Sequence, residues 1–246
     1  MTLGLPTAIT ACLFDLDGVL TDTASVHRAA WKQTFDDLLR AREGQHFTPF
    51  TAADYSNYVD GELRSDGVRD FLASRNITLP EGSAQDGPDA LTVNGIGNRK
   101  TERWLARIHH DGVTVFEGSR RYLQAAERAG LRRFVVSASA NTTEVLRITG
   151  LASYIEGQID GNTVRERNLN GKPAPDSFLA GAALAGVEPG QAVVFEDAVA
   201  GVRAGHAGNF GYVVGVNRLD AAHASELLKF GASIVVEDLA QLLDAA

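Results

Sequence analysis

Apolar positions fall into short, nearly continuous runs separated by longer stretches in which they recur every three or four residues. AITACLF (8–14), RRFVVSAS (132–139), AVVFED (192–197), YVVGV (212–216) and ASIVV (232–236) have strand length and β-branched content. Runs apolar on both faces suit buried strands of a parallel sheet better than the alternating pattern of a half-exposed one. Between them RRYLQAAERAG (120–130), APDSFLAGAALAG (174–186) and AVAGVRAGHAG (198–208) read as helices, each stopped by glycine. Strands alternating with helices predict an α/β fold, a doubly wound and mostly parallel sheet of Rossmann-like type.

One region breaks this rhythm. WKQTFDDLL places Trp31, Phe35, Leu38 and Leu39 on one helical face, and DGVRDFLASRN and RKTERWLARIHH are also helical. LPEGSAQDGPDA (79–90) reads as a polar loop, and no strong strand lies nearby. The expected organisation is an α/β core of residues 1–24 and 108–246, interrupted by a helical segment of residues 25–107.

Composition narrows the partners. The chain has 246 residues, 44% hydrophobic and 22% charged, as soluble globular proteins do. No run approaches the roughly 18 apolar residues of a membrane span, and the first residues show no basic and apolar leader. A formal charge of −8 lacks the basic footprint of a nucleic-acid surface. The single cysteine, Cys12, lies in an apolar run, so it reads as a buried, inert thiol without a disulfide partner. We therefore expect a cytoplasmic protein, a monomer or weak homodimer, with neither a nucleic-acid nor a membrane partner.

Ligands of an open parallel sheet bind beyond the carboxyl ends of its strands. The polar residues just past the strands are Asp15 and Asp17, Ser137 and Ser139, and Glu196 and Asp197; Lys172 lies in the loop NGKPAPD. Four carboxylates at one rim repel one another and call for a cation. An oxygen-only donor set without clustered His or Cys suits Mg²⁺. A carboxylate nucleophile, Mg²⁺, a lysine and a hydroxyl together are equipment for phosphoryl transfer through an aspartyl-phosphate. Taken singly, an aspartate after a strand is an ordinary turn residue and a lysine an ordinary surface charge. The ordered set is what carries the reading.

FDLDGVLTDT, VVSASAN, GKPAPD and VFEDAVAGVRAG resemble motifs I to IV of the haloacid dehalogenase superfamily, in the same order. The likeness spans essentially the whole chain, its helical insert matching the family's cap domain. DGVLTDTASVHRAAWK resembles the opening of the β-phosphoglucomutase-like family, whereas phosphatases of the superfamily more often have DGT where this chain has Asp17-Gly18-Val19. The resemblance implies that Asp15 is the nucleophile and Asp17 the general acid and base. It implies Mg²⁺ held by Asp15, the backbone carbonyl of Asp17, and Glu196 or Asp197 directly or through water. Ser137 and Lys172 would bind the transferring phosphoryl group, and Asp22 would be structural.

By the same resemblance Arg64 would grip a second, distal phosphate with Ser139 and Asn141, His27 would couple cap closure to catalysis, Lys100 would face the sugar, and Thr23 would sit at the hinge. The implied reaction interconverts β-glucose 1-phosphate and glucose 6-phosphate through bound glucose 1,6-bisphosphate. The alternative is hydrolysis of a small sugar phosphate. One departure bears on that choice: Ala140 stands where the family has a lysine after SAS, removing a cation from the distal site unless Arg64 or Arg99 compensates.

Overall fold

The computed structural model describes residues 3–244. Its strands are β1 (Ala11–Phe14), β2 (Arg132–Val136), β3 (Gly157–Ile159), β4 (Ala192–Glu196), β5 (Tyr212–Val216) and β6 (Ile234–Val236). Between β1 and β2 come α1 (Ala24–Glu43), α2 (Ala52–Tyr58), α3 (Arg64–Ser74), α4 (Val93–Asp111) and α5 (Glu117–Arg128). Then follow α6 (Thr142–Ile148) before β3, and α7 (Gly161–Glu166) and α8 (Asp176–Ala185) before β4. Last come α9 (Val199–Ala207), α10 (Ala221–Lys229) and α11 (Gln241–Asp244).

The strands form one parallel sheet in the order β3-β2-β1-β4-β5-β6, flanked by helices. From β1 the chain winds one way through β2 and β3, and from β4 the other way to β6. The switch point is therefore the carboxyl end of β1, between β2 and β4. The sequence pattern predicts five of these strands; β3 is the addition, a three-residue edge strand whose Gly-Gln-Ile carries no apolar run. The strand expected over 132–139 ends at Val136, where the chain turns into a serine-rich loop.

Register sets the site. Phe14 pairs with Phe195 across β1 and β4, and their rings stack 4.5 Å apart at 12°, with Tyr122 edge-on to both. Each such ring buries about 150–250 Å², which fixes the two strand ends side by side. Side chains alternate across a strand, so Asp15 and Glu196, each one residue further on, share the opposite face. Two glycines make room there. A Cβ on Gly201 of α9 would lie 1.8 Å from Glu196 Oε1, and one on Gly18 1.8 Å from Asp197 Oδ2.

The chain divides into two compact units, one holding the chain up to Asp22 and from Val113 onward, the other Thr23–Gly112. The second unit has a core of its own, in which Phe35 lies 5.0 Å from Trp31, 5.1 Å from Phe50 and 4.1 Å from Phe71, ring centre to ring centre. Cys12 is buried and unpaired. Among the described residues, no helix is long and apolar enough to cross a membrane.

Candidate active site

At the carboxyl end of β1 the Asp15 backbone N–H donates to the Phe195 carbonyl at 2.9 Å, extending the ladder by one residue. Lys172, brought in by the loop before α8, reaches under the strand ends. Its Nζ donates to Asp15 Oδ1 at 2.6 Å, to Glu196 Oε1 at 2.5 Å and to the Val136 carbonyl at 3.3 Å. An ammonium has three protons, so its donor capacity is filled. The Phe178 ring lies 4.9 Å from the same nitrogen. Burial pulls the Lys172 ammonium toward neutrality, but Asp15 and Glu196 outweigh that and hold it charged, above its ordinary range. For Asp15, burial pushes the carboxyl well above the usual range; Lys172 opposes this, and Glu196 and Asp17 add to it.

Both Glu196 oxygens have a partner within the protein: Oε1 accepts from Lys172, and Oε2 accepts from the Ala198 N–H at 2.9 Å. Asp197 packs against Gly18, whose φ of +86° and missing side chain allow that approach. Carboxylate oxygens of Asp15, Glu196 and Asp197 lie within 4.8 Å of one another. With Asp17 they form a hard, oxygen-only donor set. That set fits a divalent cation such as Mg²⁺ and offers nothing to a softer metal.

Beyond β2, Ser137 Oγ accepts from the Ser139 N–H at 3.0 Å and Ser139 Oγ from the Asn141 N–H at 3.2 Å. Both hydroxyls, accepting from the backbone, keep their own protons to donate outward. The loop is braced from behind, because the Ser139 carbonyl accepts from Gly161 N–H and Thr142 Oγ1.

Within the helical unit, α4 gathers the other residues singled out by sequence. Lys100 Nζ lies 2.5 Å from His27 Nδ1 and 5.1 Å from the centre of the Trp31 ring. The His27 ring centre lies 4.9 Å from that of Trp104, and the His27 backbone N–H donates to the Thr23 carbonyl one turn earlier. Arg64 lies along α4 against Gly97, and its Nη1 donates to Thr101 Oγ1 at 2.7 Å. Lys100, His27 and Thr23 thus form one group, and Arg64 is anchored beside it on α4. Arg99 donates to the Pro88 carbonyl.

One residue that sequence reading passes over lies against motif I. Arg218, just past β5, is half-buried and donates to the carbonyls of Gly18 and Val19. The only sequence signal is its place after a strand end.

The relatives of this chain mark it as an enzyme of the phosphotransferase and phosphatase type. A family model described as haloacid dehalogenase-like hydrolase matches residues 9–209. The β-phosphoglucomutase of Mycobacterium bovis is 56% identical over 98% of this chain and 94% of its own length. That of Bacillus subtilis is 27% identical over 79% of this chain and 77% of its own. Among solved structures, β-phosphoglucomutase from Clostridium difficile superposes with a TM-score of 0.76 at 24% identity, covering 95% of this chain and 93% of that one. The chain belongs to the haloacid dehalogenase superfamily and, within it, to the β-phosphoglucomutase-like family.

Proposed function

We propose that the protein is a Mg²⁺-dependent β-phosphoglucomutase, interconverting β-glucose 1-phosphate and glucose 6-phosphate through bound glucose 1,6-bisphosphate. The observation that carries this reading is the 56% identity to a mycobacterial β-phosphoglucomutase over nearly the whole of both chains. The geometry supports it by holding Asp15 at the switch point with a lysine on one of its oxygens.

In the proposed reaction an Asp15 carboxylate oxygen attacks phosphorus, the bond from phosphorus to the sugar oxygen breaks, and Asp17 gives its proton to that oxygen. In the return step Asp17 takes the proton from the accepting hydroxyl, that oxygen attacks phosphorus, and the bond to Asp15 breaks. Lys172 fixes the Asp15 carboxylate and offsets its charge, and Ser137 donates to a phosphoryl oxygen. Asp15, Asp197 and the Asp17 carbonyl would hold Mg²⁺, with Glu196 supporting through Lys172; bound there, the ion neutralises charge on the phosphoryl group. Ser139, Asn141, Arg64, Lys100, His27 and Thr23 are the further residues proposed to bind substrate.

A second reading, a phosphatase for a small sugar phosphate, is favoured by Ala140, which supplies no cation where the family has a lysine. One assay separates them. Incubated with β-glucose 1-phosphate, Mg²⁺ and a trace of glucose 1,6-bisphosphate, the enzyme yields glucose 6-phosphate, and chelating the metal stops it. Inorganic phosphate without glucose 6-phosphate sinks the mutase reading.

A further inference from the structure

Gly18 follows Asp17 directly and sits at φ +86°, where glycine is at ease and its two flanking peptide planes can swing. Both planes are tied. The Gly18 N–H donates to the Thr21 carbonyl at 2.7 Å, which fixes the plane that carries the Asp17 carbonyl. The Gly18 carbonyl accepts from Arg218 Nε at 2.7 Å, which fixes the next plane. Arg218 Nη2 and Ser119 Oγ share the Val19 carbonyl, at 3.4 and 2.7 Å. The guanidinium is itself held, by Nη1 on the Glu237 carbonyl at 2.7 Å and by the Phe116 ring, 3.6 Å from its centre. A rigid planar fork presents its donors in fixed, separated directions that match these carbonyls, whereas a lysine offers its three donors from a single point.

We infer that Arg218 is a positioning residue: by locking the Gly18–Val19 peptide it fixes the direction in which the Asp17 carboxyl and carbonyl face the reacting phosphoryl group. The inference rests on the role proposed for Asp17. Arg218 touches no reacting atom: its hydrogen bonds act on the backbone of motif I, and its charge also reaches Asp197, a contribution that Arg218→Lys retains. A misplacement of about 1 Å at a catalytic group can cost about 100-fold in rate, so a clamp on this glycine has kinetic consequences out of proportion to its hydrogen bonds.

The test measures backbone protection and kinetics in Arg218→Ala and Arg218→Lys. The amides of Gly18, Leu20 and Thr21 are hydrogen-bonded within the motif I turn. In both variants hydrogen–deuterium exchange at these amides should quicken about 10-fold or more, with strands β1 to β6 unaffected. On phosphoryl transfer kcat should fall about 10–100-fold with KM within about threefold, and added guanidinium ion should restore part of the loss in Arg218→Ala. Unchanged exchange at the turn, exchange that quickens across the whole sheet, or quickened exchange with unchanged kcat would each overturn the inference. If Arg218→Ala does not fold, Arg218→Lys carries the comparison. If the wild type neither isomerises nor hydrolyses sugar phosphates, the proposed function has failed, and the exchange measurement alone then decides whether Arg218 is the clamp.

Discussion

Lys172 makes three hydrogen bonds in the dry interior, two of them to carboxylates, and that arrangement fixes what its loss must do. Removing one partner of a buried ionic cluster leaves charge without compensation and costs about 3–5 kcal/mol, more than the pairing gained in the first place. Lys172→Met is therefore expected to lower stability by about that amount in urea denaturation without added metal, and to abolish phosphoryl transfer. A loss below about 1 kcal/mol, the worth of an exposed pair, would show that the cluster is far wetter than its burial implies. Asp15, Glu196 and Asp197 were legible in the sequence because a parallel sheet delivers whatever follows its strands to one rim, and Lys172, in the loop before α8, was singled out by the motif GKPAPD. Arg218 was not, although it too follows a strand. Its partners are backbone carbonyls, which every residue has, so no pairing pattern marks it.

At the scale of elements, legibility followed length and apolar content. The long helices and the five apolar strands announce themselves, whereas β3, α2, α6 and α7 are too short for a period to emerge. Where α2 begins, side chains do what length cannot. Thr51 Oγ1 accepts from the Asp54 N–H while Asp54 Oδ2 accepts from the Thr51 N–H, and Arg75 adds a hydrogen bond at 2.9 Å. Burial alone would raise the Asp54 carboxyl, but the bonds from Thr51 and Arg75 outweigh it and hold the group below its ordinary value. A depressed carboxyl contributes stability above its unfolded pKa, about 3.9, and the contribution disappears as pH falls through the folded value. Asp54→Ala should thus cost about 1–2 kcal/mol at pH 7. The gap between variant and wild type should close on acidification below about pH 4. A gap that stays constant down to pH 2.5 or so would assign the effect to packing rather than charge.

For the whole molecule, the alternation of strands and helices gave the parallel α/β class, but strand order is a matter of which edges meet, and no periodicity encodes that. The helical insert was legible as an interruption of rhythm, and its independent core follows from where its aromatic residues cluster. That division can be probed with the natural chain. Its two tryptophans, Trp31 and Trp104, both lie in Thr23–Gly112, and its single cysteine, Cys12, lies in the other unit. Burial pushes the Cys12 thiol far above its usual range and leaves it unreactive until that unit opens. Tryptophan fluorescence thus reports one core and thiol labelling the other. Phe35, fully buried among Trp31, Phe50 and Phe71, is the residue to remove. Truncating a buried phenylalanine to alanine costs about 3–5 kcal/mol, and at roughly 1–3 kcal/mol per molar urea that is a midpoint shift of about 1 M or more. If each core unfolds on its own account, Phe35→Ala moves the fluorescence transition down by that amount while Cys12 labelling shifts far less. Two transitions that move together would mean that the chain opens as one cooperative body, its two cores energetically inseparable.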